Sequence, residues 1–202
     1  MISLFVEAHT GTYLMPGDVA AFCEAASFPI APPSTLRGFI ESLAGQERGW
    51  FQGEVAYGWA PNEDGSYEPL GSGTMLQQAT QGSAGFRKEF GSWFSFRPIH
   101  KPLILRPRYR VLIKASEEQE AQIRKGMEGE ADRYGILCLR KSDDVVNRLE
   151  EVPEDAPALW LTDGNALRLT VGTTTGFRNY SPVYKTFDYG DEPYWISFGE
   201  DT

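Results

Sequence analysis

Two strand-like runs, residues 2–9 and 50–60, flank a helix that begins at a proline-stiffened approach, and this order constrains the fold more than anything else in the chain. The approach reads Pro29-Ile30-Ala31-Pro32-Pro33-Ser34-Thr35. Proline tolerates the first turn of a helix and little beyond it. Ser34 or Thr35 is expected to cap the helix, because a hydroxyl there accepts from an orphan N–H. Leu36, Phe39, Ile40 and Leu43 recur at i, i+3, i+4 and i+7 and form one apolar face. Gly45 reads as the C-terminal stop.

Further along, 103–115 alternates basic and apolar residues as a strand, with Pro107 holding its first part at an edge or bulge. Residues 117–133 are rich in Glu, Ala and Gln and read as a solvent-facing helix. Gly135–Leu139 reads as an apolar strand, Asp143–Leu149 as a short helix, and Leu159–Leu161 and Leu167–Val171 as strands before an aromatic, turn-rich tail. Residues 10–33 read as ordered loop with room for a helical turn over Asp18–Glu24. Setting aside an insertion at 61–106 leaves strand, helix, strand, strand, helix, strand, the α+β, ferredoxin-like (RRM-like) βαββαβ core. Within the insertion, Thr74–Gln81 and Trp93–Phe96 are expected to pair as a long hairpin. The whole of 1–202 is read as a single domain, with a strand-rich C-terminal extension from about 150.

Charge is unevenly placed. The net charge is −9, yet residues 74–114 hold 8 Lys and Arg against 1 Glu. Residues 1–73 balance at −7 and residues 115–202 at −9. The position of positive charge, more than its total, governs nucleic-acid binding. Arg87, Lys88, Arg97, His100, Lys101, Arg106, Arg108 and Arg110 interleave with Phe86, Phe90, Trp93, Phe94, Phe96 and Tyr109. Cations track a phosphate backbone and aromatic faces stack on unpaired bases. An acidic protein partner or a plain solvated strand face would use the same residues.

A second anion site is the helix start itself, where N–H groups and the helix dipole favour a phosphate. Arg37 adds a charge-assisted bond and Gly38 lets a ligand or backbone approach. The plainer alternative pairs Arg37 with Glu41 and packs Gly38 on the sheet. Catalysis has one thin foothold: His100-Lys101 near Tyr109 suits attack by an RNA 2′-hydroxyl. No metal-ligand cluster, phosphate loop or nucleophile elbow is present, and no cofactor is expected. Cys23 and Cys138 read as buried thiols of a cytoplasmic protein. The N-terminus lacks a signal-peptide pattern, and no apolar run reaches the roughly 18 residues of a membrane span.

The motifs resemble those of a known family. Pro33-Ser34-Thr35-Leu36-Arg37-Gly38, within a helix ending at Gly45, is similar to the Pro-x-Ser/Thr-x-x-x-Gly helix start of the CRISPR-associated Cas-five family, of the RAMP superfamily. Arg106-Pro107-Arg108-Tyr109-Arg110-Val111 resembles that family's Asn-Pro-Arg-Tyr/Phe-Arg-Val strand. Tyr134–Ser142 resembles its Pro-Tyr-Leu-Gly-x-Ser turn, with Lys141 where the family has Gly. The resemblance implies a ferredoxin-like core with a β-hairpin thumb in the slot of 74–106. It further implies a non-catalytic subunit of a type I Cascade effector that grips the 5′ handle of the crRNA and caps one end of the complex. Its neighbours would be the backbone subunit and the large subunit, next to target DNA at the protospacer-adjacent motif, with guide pairing supplying most specificity. On this reading Ser34, Thr35, Arg37 and Gly38 cradle the handle, and Arg87, Lys88, Arg97, His100, Lys101, Arg106, Arg108 and Tyr109 clamp RNA. Two alternatives stay open: a metal-independent endoribonuclease for precursor RNA, and an acidic scaffold without RNA contact.

Overall fold

The computed structural model describes residues 1–19, 25–81, 95–133, 135–139, 144–176 and 179–199. Its core strands are β1 (Ile2–Ala8), β5 (Glu54–Trp59), β8 (Arg108–Lys114) and β9 (Val146–Glu151), with helices α1 (Pro33–Leu43) and α2 (Glu117–Met127). They stand in the order β9-β1-β8-β5, each neighbour antiparallel. Chain order β1, α1, β5, β8, α2, β9 with that spatial order is the ferredoxin-like βαββαβ arrangement.

The period of two in each strand sorts the residues. Ile2, Leu4 and Val6 lie beside Ile113, Val111 and Tyr109, which lie beside Val55, Tyr57 and Trp59. This face packs on α1 through Leu36, Phe39, Ile40 and Leu43 and on α2 through Ile123, all fully buried. The helices meet backbone to backbone, for a Cβ on Gly126 would collide with the carbonyl of Leu43. The opposite sheet face carries Ser3, Phe5, Glu7, Arg108, Arg110, Leu112 and Lys114, and among the described residues no helix packs on it.

Three further elements are added. The strands β6 (Gly71–Gln81) and β7 (Ser95–Leu105) pair over their full length as a two-stranded ribbon between β5 and β8, extended by the short β2 (Thr10–Gly11) at its base. A small hairpin joins β3 (Leu14–Val19) to β4 (Ala25–Ser27). The C-terminal part is a hairpin of β10 (Leu159–Gly176) and β11 (Asn179–Gly190), and β12 (Ile196–Ser197) returns to β5.

Several sequence expectations change. The fourth core strand is β9, not 135–139, which makes only an isolated bridge, Cys138 to Val145. The helix expected at 143–149 is replaced by this strand because Val146 and Leu149 align with Ala8 and Val6 on the unpaired edge of β1. The two strands expected at 159–171 are one, interrupted by a bulge at 164–166 whose Ala166 N–H donates to Asp188 Oδ1. The single strand expected at 103–115 breaks at Arg106. Residues 14–19 are strand where a loop was expected, and 20–24 lie outside the described residues. Cys138 is half-buried rather than buried.

Candidate nucleic-acid interface

The ribbon puts the basic segment into a regular frame. Arg97 stands opposite Ala79, His100 opposite Leu76 and Lys101 opposite Met75. Neither strand of the ribbon contains an Asp or Glu. Arg97 and Lys101 occupy positions of the same parity, and His100 the other, so they belong to different faces of the ribbon. Arg87 and Lys88 lie outside the described residues.

At the base of the ribbon the chain turns into β8 through Arg106, whose φ of 45° is left-handed. Such a backbone disfavours a side chain and is further restricted before proline. Two bonds hold it: Arg106 N–H donates to His9 O at 3.1 Å, and Ala8 N–H donates to Pro107 O at 3.1 Å. The Arg106 guanidinium donates to both Glu7 oxygens at 3.0 and 3.2 Å, and Arg108 Nε donates to Glu7 Oε2 at 2.6 Å. Burial would raise the Glu7 carboxyl, but hydrogen bonds from Arg108 and Arg106 outweigh it and hold its pKa below the usual value. Arg108 is nearly buried, whereas the Arg106 side chain is 49% exposed. Arg110 is wholly buried, donating to Leu4 O, Ser3 Oγ and Pro153 O, and desolvation lowers its pKa.

Tyr109 corrects an expectation. It was expected to stack on RNA, but its side chain lies in the core. Its ring stacks on Trp59 with centroids 5.0 Å apart, and its hydroxyl donates to Tyr13 Oη at 2.8 Å. Burial pushes its pKa well above the ordinary tyrosine value. Residues 109, 111 and 113 share the core-facing parity, a signal already present in the alternation of the strand.

The start of α1 differs from expectation as well. Pro32 is the N-cap and Pro33 the first helical residue, so neither Ser34 nor Thr35 caps, and Thr35 N–H donates to Pro32 O instead. Both side chains are half-buried. Arg37 Nε donates to Glu41 Oε1 at 3.2 Å, and its guanidinium lies 5.5 Å from the Phe198 ring centroid. Glu41 Oε1 also accepts from the N–H groups of Gly49 and Phe51, which ties the post-helix loop to α1. Gly38 is exposed, and a Cβ there would meet nothing within 4 Å. Packing on the sheet therefore does not account for that glycine.

No family model and no curated protein matches this sequence. Solved structures do match. A chain of a "CRISPR RNA-guided surveillance complex" superposes with a TM-score of 0.54 at 12% identity, covering 95% of this chain and 90% of that one. A "Crystal structure of Cas protein" reaches 0.46 at 8% identity over 95% and 94% of the two chains. A CRISPR protein from Archaeoglobus fulgidus reaches 0.37 at 12% identity over 98% and 92%. The shared fold rests on the first of these.

Proposed function

We propose that this protein is a non-catalytic, RNA-binding subunit of a type I CRISPR effector, holding the 5′ handle of the crRNA. The observation that carries the reading is a ribbon with cations at Arg97 and Lys101, and no carboxylate on either strand, inserted between the second and third strands of a ferredoxin-like core. The likeness in fold to a chain of an RNA-guided surveillance complex supports it. The ribbon tracks phosphates, and the exposed turn of α1 at Gly38 admits a second stretch of the handle close to the helix backbone. The core then faces its neighbours, the backbone subunit and the large subunit, near the protospacer-adjacent motif.

Cleavage is not part of this proposal. A joint action of His100, Lys101 and Tyr109 would need all three at one point. Tyr109 is buried, and consecutive strand positions assign His100 and Lys101 to opposite faces.

The test is to express the chain with a repeat–spacer array, purify it with its assembly and sequence the RNA that travels with it. Molecules sharing one fixed 5′ end are expected. A folded protein in its assembly, with no RNA or with RNA of scattered 5′ ends, would overturn the reading.

A further inference from the structure

The sheet face turned away from the helices, partly covered by residues 153–160 and Trp195, ends in a groove far different in charge from the ribbon. It is an open depression of about 280 Å³ over Leu112 and Trp160, walled on its apolar side by Tyr67, Pro157 and Pro193. That is just below the ~300–1,000 Å³ typical of pockets for drug-sized ligands and suits one long side chain. Leu112 and Trp160 are buried together with Ala56 in a small cluster of their own, with Trp195 against it, so the floor is fixed by packing. Three exposed carboxylates, Glu154, Asp155 and Asp191, also line the groove. Among the described residues no Lys or Arg lines it.

From this combination we infer that the groove receives an arginine side chain from a neighbouring protein subunit. An apolar and aromatic floor takes the aliphatic stem and the flat guanidinium, and the carboxylates take its charge. The adjoining Trp195 already carries a cation of its own chain, with Lys114 Nζ 3.6 Å from the ring centroid. Nucleic acid is the wrong occupant, because three exposed carboxylates with no Lys or Arg among the lining residues repel phosphates. The inference stands independently of the RNA reading.

Asp155 also lies close enough to Arg110 to favour its charged form, so substituting it would disturb the core. Glu154→Gln with Asp191→Asn is the cleaner variant. The probe is the capped peptide acetyl-Gly-Arg-Gly-amide, followed by the indole N–H resonance of Trp160. A saturable shift of Trp160, with the core Trp59 unmoved, is expected. In the double variant the peptide should bind roughly tenfold more weakly. The same peptide with citrulline in place of arginine should not bind. No saturable shift, an equal shift with citrulline, or unchanged binding in a double variant whose Trp59 resonance reports a native core would overturn the inference. So would a shift of Trp160 by a uridine decamer, which would make the groove a nucleic-acid site.

Discussion

The two halves of the basic segment look alike in sequence and differ in what surrounds them. In β8 and the turn before it, Arg106 and Arg108 share Glu7, Arg110 is sunk beneath the sheet, and Lys114 Nζ lies over the Trp195 ring. In the ribbon, Arg97 and Lys101 stand opposite Ala79 and Met75, and neither strand carries an acid. Cations of the first kind hold the fold together. Those of the second kind have no cross-strand carboxylate to answer them and are the ones we assign to RNA. A count of positive charge cannot make this division, because only the register says which strand lies alongside.

The largest expected effect breaks the first half. Glu7→Ala leaves the half-exposed Arg106 without its carboxylate and the nearly buried Arg108 with only the exposed Glu63, 3.9 Å away. Removing one partner of a buried pair costs about 3–5 kcal/mol, and the exposure of Arg106 points to the low end of that range. Urea unfolding measures it. The Glu7 carboxyl is held below its ordinary value of 4.5 in the folded state, so just beneath that pH the unfolded chain binds more protons. Its contribution is therefore complete above that pH and is lost as pH falls through the folded value. Glu7→Gln should flatten this acid limb, and an unchanged limb would show that the pair does not form.

Two smaller effects sharpen the comparison. Arg106→Ala and Arg106→Gly both lose the ion pair, but glycine alone accepts the left-handed backbone. Arg106→Gly should be the more stable of the two by about 1 kcal/mol in the same unfolding experiment. Gly38→Ala should raise stability by up to about 1 kcal/mol, since the helix interior gains propensity and the added Cβ meets nothing. Gly38→Leu should leave the fold intact and lower the yield of bound RNA. A stable Gly38→Leu protein with its full complement of RNA would remove α1 from the interface.

Much of the core was legible because its periods are clean. The apolar face of α1 and the alternation of β8 led to a βαββαβ order, and the turn glycines of the insertion led to a hairpin. The fourth strand was misplaced because β9 is an edge: only Val146 and Leu149 are apolar, and the rest of its length is Asn, Arg and Glu. A more apolar run nearby, 135–139, took its place. The strand β10 was split because Asp163-Gly164-Asn165 has the composition of a turn, and only the distant Asp188 shows that a bulge replaces it. Within the candidate site, the pairing of Arg37 with Glu41 follows from helical spacing. The commitment of Arg106 and Arg108 to Glu7, 99 and 101 residues away, does not. Helix capping failed for a local reason, since Pro32 and Pro33 start α1 one residue before the hydroxyls.

The division of the basic segment is tested most directly by the salt dependence of RNA affinity. Deleting one cation that neutralises a phosphate lowers the slope of log K against log salt by roughly 0.7–1. Arg97→Ala with Lys101→Ala should therefore lower the slope by roughly 1.4–2, weakening binding without altering stability. Arg108→Ala should cost stability and leave the slope of the folded protein unchanged. An unchanged slope in the ribbon variant, or a lowered one in Arg108→Ala, would contradict the account.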